Sequence, residues 1–110
     1  MMANLRNLPT ENPMQLASLI TSKKNQIVSM ALSNSEHLQM SLFTFADKET
    51  VSEEEYFGDT MYFVLEGETQ INKDGKEYIL KAGDVFMVPA HVLHAIGGES
   101  EFKLLQITVN

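Results

Sequence analysis

The sequence predicts an all-β fold. Short runs of alternating apolar and polar residues recur at nearly regular spacing. Gly, Pro, Asn and Asp separate them, and no long helical period interrupts them. Many short strands punctuated in this way read as a sandwich or a barrel. A chain of 110 residues is one domain on length alone, and its 44% hydrophobic content is that of an ordinary globular protein.

In chain order, residues 1–25 form a polar arm with prolines at 9 and 13. Within it, Leu16, Leu19 and Ile20 suit either one helical turn or an extended strand. Residues 26–110 carry the barrel. A strand-like run at 27–32, a Ser33-Asn34-Ser35 turn and an alternating run at 38–45 make a hairpin. Residues 47–55 are charged, and Glu53, Glu54 and Glu55 read as a solvated edge whose mutual repulsion discourages edge-to-edge pairing. After a Gly58-Asp59 turn comes a strong strand at 60–66. Gly67 punctuates it, and residues 68–72 continue. Asp74-Gly75 signals a tight hairpin into a return strand at 77–81. Strands at 85–88 and 92–96 flank a corner at Pro89, and 102–109 is the last strand. Phe43, Phe45, Tyr62, Phe63, Phe86 and Phe102 are assigned to the core, with Met40, Met61 and Met87 filling its gaps.

Lys+Arg is 8 and Asp+Glu is 15, a net charge of −7 with no basic run. Nucleic acid and anionic membrane surfaces, which need clustered Lys and Arg, are therefore excluded as expected partners. The absence of cysteine excludes disulfides, thiolate metal sites and thiol nucleophiles, and fits a reducing cytoplasm. The start MMANLRNLPTENP lacks the apolar stretch of a secretory signal, and no apolar run is long enough to span a membrane. The expected location is cytoplasmic. No Ser-His-Asp or phosphate-loop pattern is present.

Two blocks carry more. AGDVFMVPAHVLHAI at 82–96 resembles the second motif of the cupin superfamily, G-x5-P-x-G-x2-H-x3-N. Gly83, Pro89 and His94 fall on its spacing, His91 replaces its middle glycine and Gly98 its asparagine. Histidine is among the few non-glycine residues enriched in the left-handed conformation such a corner needs. SEEEYFGDTMYFVLEGE at 52–68 resembles the first motif, G-x5-H-x-H-x3-4-E-x6-G, anchored at Gly67. The family glutamate then falls on Thr60, and the two histidines fall on Glu54 and Tyr56, or on Glu53 and Glu55 with the longer spacer.

The resemblance implies a small cupin jelly-roll, a double-stranded β-helix barrel with a short N-terminal arm. It also implies an internal metal held by three histidines and a glutamate. Here His94 alone keeps its place, with Glu54 standing where a histidine would be. A reduced site would join His94 and Glu54 to one of Glu53, Glu55 or Asp59, around a divalent transition metal such as Zn, Ni, Fe or Mn. Asp59 is one residue out of phase, which puts it on the other strand face. The alternative is a metal-free pocket in which His94 hydrogen-bonds Glu54 or Tyr56. Tyr56, Thr60 and Tyr62 are the expected pocket residues, with His91 at the barrel mouth. The functional expectation is a barrel that binds a small molecule in its pocket, with a degenerate metal site and no established catalytic activity. The runner-up is a metal-dependent cupin enzyme of the dioxygenase or isomerase type, and a third reading is a sensor or assembly module. Whether the site is catalytic is left open. Small cupins also imply a homodimer, often with N-terminal strands exchanged.

Overall fold

Alternating side chains make each strand two-faced, so the strands bury their apolar faces by stacking two sheets. The computed structural model of the protein describes residues 4–110; residues 1–3 of the expected arm lie outside the described residues. A 3-10 turn, Leu16–Leu19, precedes nine strands: β1 Ile27–Asn34, β2 Leu38–Phe45, β3 Thr50–Glu54, β4 Asp59–Glu66, β5 Glu68–Lys73, β6 Lys76–Lys81, β7 Val85–Val88, β8 His94–Gly97 and β9 Phe102–Val109. One sheet has the order β1-β2-β9-β4-β7 and the other β3-β8-β5-β6. Every recorded pairing is antiparallel. From β2 onward the chain crosses repeatedly between the sheets, which is the expected jelly-roll barrel.

The space between the sheets is filled from both sides. Phe45, Tyr62, Val64, Val88, Phe102 and Leu104 from the larger sheet meet Ile71, Leu80 and Ile96 from the smaller. Phe45 and Phe102 stack with ring centroids 4.6 Å apart. On β4 the alternation is strict: Thr60, Tyr62 and Val64 are buried while their neighbours are not.

The outward face of the five-stranded sheet is also apolar. Its β1–β2 half is sealed by the arm, where Ile20, Leu16, Leu19 and Leu8 pack on Leu32 and Leu42. The Lys103 ammonium donates to the carbonyls of Ala17 and Ile20 at 2.8 and 2.9 Å, pinning the 3-10 turn to β9. Past the arm the face is bare. Met61, Met87 and Ile107 lie in register across β7, β4 and β9, with Phe63 and Val85 beside them. Val85 and Met87 are half exposed. Met87 therefore does not fill a core gap, because outward parity on β7 turns it to solvent; Phe63 is only half-buried for the same reason on β4.

Two segments depart from the sequence reading. Residues 50–54, read only as a charged edge, form β3 against β8. Four of its five residues are exposed, so no apolar alternation announced it. Residues 92 and 93 belong to the corner, and β8 begins at His94. The Asp-Gly hairpin is as expected, with φ +54° at Asp74 and +71° at Gly75. No described helix is long and apolar enough to cross a membrane.

Gly67 lies between β4 and β5 with φ +79°, and a Cβ there would sit 2.6 Å from the Glu101 carbonyl oxygen. At Gly75 a Cβ would meet nothing within 4 Å. Gly75→Ala is expected to lose about 1–2 kcal/mol, from left-handed strain alone. Gly67→Ala adds a backbone clash and should lose more than about 3 kcal/mol. Urea unfolding of the two variants checks the order.

Candidate functional site

Inward side chains of both sheets leave a chamber of about 230 Å3 inside the barrel. Its apolar wall comes from Phe43 and Phe45 of β2, Val51 of β3, Ile96 of β8 and Leu104 of β9. Its polar end is built by Glu54, Tyr56, Tyr62 and Gln106. Behind Tyr62 lies His94, which is 3% exposed.

The polar end is one connected arrangement. His94 Nδ1 lies 3.0 Å from the Val92 carbonyl oxygen, which can only accept, so Nδ1 carries the proton. In the neutral ring, Nε2 then accepts from the Tyr62 hydroxyl at 2.6 Å. The two rings meet edge to face, centroids 5.6 Å apart. Burial, followed by the charges of Tyr56 and Glu54, pushes the Tyr62 hydroxyl far above its ordinary value. It therefore stays a proton donor. Next to it, the Tyr56 hydroxyl donates to Glu54 Oε2 at 2.6 Å. Burial, and then that bond to a carboxylate, raise the Tyr56 hydroxyl to about 12, against the opposing influence of Gln106.

The sequence-named residues divide clearly. Glu54, Tyr56 and Tyr62 come together on the chamber wall, with His94 joined to them through Tyr62. Glu54 and His94 are register partners across β3 and β8, past an irregularity between Val51 and Glu54. His94 hydrogen-bonds Tyr62 rather than Glu54 or Tyr56. Thr60 is inward and buried but is off the chamber wall, because its hydroxyl pairs with that of Thr108 at 2.9 Å. His91 is exposed, with φ +64°, as the corner requires. Its N–H donates to the Tyr56 carbonyl, and its ring meets Phe57 edge to face at the rim. Asp59 accepts from the Ala90 N–H at 2.9 Å, so it braces the corner from outside. Gln106 was not named from the sequence. Counting by twos from Phe102 and Leu104 along β9 turns it inward, and that alternation was its signal.

A transition metal of the family type wants three or more suitable donors. Among the described residues, no three His, Cys, Asp or Glu are grouped to hold one. The donor geometry agrees: Nε2 of His94 is engaged by Tyr62, Thr60 is bonded to Thr108, and Tyr56 is a firmly protonated phenol. This set does not fit the family metal. What it can do is hold a small molecule against an apolar wall and meet its polar group with tyrosine and carboxylate oxygens.

Comparison with known proteins agrees with this architecture. The cupin domain family matches residues 42–108. A cupin superfamily protein from Desulfitobacterium hafniense DCB-2 is 57% identical, over 96% of this chain and 97% of that one, with a TM-score of 0.94. A cupin 2 conserved barrel domain protein from Leptotrichia buccalis is 32% identical over 88% of this chain, with a TM-score of 0.85; the match spans 47% of that longer chain. A conserved protein of unknown function from Streptococcus pyogenes shares the fold at 22% identity, covering 99% of this chain and 96% of that one at a TM-score of 0.93. No curated protein matches the chain. The matched span takes in β3 to β8, the bulk of the barrel and every polar group of the chamber, and the chain belongs to the cupin family.

Proposed function

We propose that this cupin binds a small molecule in its barrel chamber and does so without a metal. The observation that carries the reading is the chamber itself. It is walled by aromatic and aliphatic side chains with a few polar groups at one end, the usual composition of a small-molecule site. The engaged Nε2 of His94 supports binding over metal chemistry.

Two measurements test this. Protein purified without a histidine tag should hold less than about a tenth of an equivalent of any transition metal. About one equivalent, lost in His94→Ala, would overturn the metal-free reading. In a thermal-shift screen of small aromatic compounds, some should raise Tm of the wild type. Val51→Phe, which fills the chamber from β3, should abolish those shifts. Shifts that survive in Val51→Phe would place binding elsewhere.

The bare outward face belongs to the same proposal: a second copy of the chain covers it. Met61, Phe63, Val85, Met87 and Ile107 form rows with no charged side chain among them, so this face avoids the repulsion that a net charge of −7 sets up elsewhere. Light scattering is expected to read twice the chain mass. Met87→Lys, at a half-exposed position, should halve it without unfolding the barrel.

Alkaline pH gives a readout of the polar end. Tyrosine is neutral when protonated, with an ordinary value of 10.0, and the folded chain holds Tyr56 to about 12. Below the ordinary value both states keep the proton. Above it the unfolded chain releases first, so this contribution to stability is lost as pH rises from about 10 to about 12. In denaturant titrations across that window, Tyr56→Phe should lose stability less steeply than the wild type.

A further inference from the structure

The polar end of the chamber is built of one carboxylate, two phenols and the Gln106 amide. The Tyr62 proton is committed to His94 Nε2, because Nδ1 is held by the Val92 carbonyl. The Tyr56 proton is committed to Glu54. What remains free is the lone pairs of the two phenol oxygens and of the Glu54 carboxylate, which has roughly four acceptor positions and uses one for Tyr56, together with the side-chain amide of Gln106, which can donate or accept. A ligand group that engages the Glu54 carboxylate must therefore donate.

Charge narrows the choice. Glu54 is the one Asp, Glu, Lys or Arg on the chamber wall, so nothing there neutralises an anion. Four aromatic side chains, Phe43, Phe45, Tyr56 and Tyr62, share that wall. Aromatic faces attract a cation through the ring quadrupole, most strongly where water is excluded. A neutral hydroxyl could donate to the same oxygens but carries no charge for the carboxylate or the rings to attract.

We propose that the chamber selects a protonated organic amine carried on a small apolar body, its ammonium at Glu54 and Tyr56 and its body against Phe43, Phe45 and Leu104. This rests on the reading that the chamber takes a small molecule, and it names the ligand's class.

Three probes with a common phenylethyl body separate the possibilities by calorimetry at neutral pH: 2-phenylethylamine, 2-phenylethanol and 3-phenylpropionate. The amine should bind about tenfold more tightly than the alcohol, and the carboxylate should not bind. The preference should shrink as salt is raised. Glu54→Gln should bring the amine's affinity down to that of the alcohol. Tyr56→Phe keeps the carboxylate and should keep the preference to within about twofold. Its loss in Tyr56→Phe to the same extent as in Glu54→Gln would assign the effect to the hydrogen bond and overturn the charge argument. An alcohol that binds as well as the amine, or a carboxylate that binds, would overturn the inference and leave the chamber reading standing. Binding by none of the three would also sink it, while the Val51→Phe screen decides the chamber reading separately.

Discussion

The hydrogen bond between Tyr62 and His94 joins the two sheets through the centre of the barrel. Tyr62 stands on β4 of the larger sheet and His94 on β8 of the smaller, and both are almost fully buried. Leaving either partner unpaired there would cost about 1–3 kcal/mol, so the contact holds both rings in place. It also decides the chemistry of the barrel. The Val92 carbonyl requires the proton on Nδ1, which leaves the Nε2 lone pair to accept from Tyr62. A histidine at a family ligand position thus becomes a support for a tyrosine, and the chamber's polar end is composed of phenols and one carboxylate.

The sheets around this bond are unequal in what they show to solvent. The larger sheet is apolar on both faces, so it needs cover outside as well as a core inside. The arm supplies half of that cover, held by backbone bonds from the Lys103 ammonium and by the Arg6 N–H to the Leu32 carbonyl. The smaller sheet closes the barrel from the other side, and its edge strand β3 ends at Glu54, at the chamber's polar end. A strand with so little apolar surface exists because β8 provides its hydrogen-bond partners, and Val51 alone anchors it on the chamber wall.

Much of this was legible in the residue order. The hairpin at Asp74-Gly75, the strand at 60–66 and the corner at Pro89 each have local chemistry that needs no partner to be read: left-handed glycine, strict alternation, and a residue without an N–H. His91 in the left-handed region belongs with these, since the demand is set by the corner itself. β3 was not legible, because pairing rather than patterning makes it a strand. Thr60 shows the limit for the site. Its inward parity was readable, yet Thr108, 48 residues away in the chain, takes its hydroxyl and removes it from the chamber. Gln106 shows the reverse, a polar residue in an apolar strand whose place on the wall follows from the same alternation that buries Leu104.

The sequence by itself determined the fold class, the order of nearly all the strands, and the inward parity of Thr60, Tyr62 and Val64 on β4. Those depend on periodicity and turn chemistry, which are local. Only the tertiary structure decided which polar groups bond to which. Tyr62 pairs with His94 across 32 residues, Thr60 with Thr108, and Tyr56 with its near neighbour Glu54. The first two pairings require two strands to be placed to within an ångström. No pattern along one chain carries that information, because a hydrogen bond forms or fails on distances set by the packing of both sheets together.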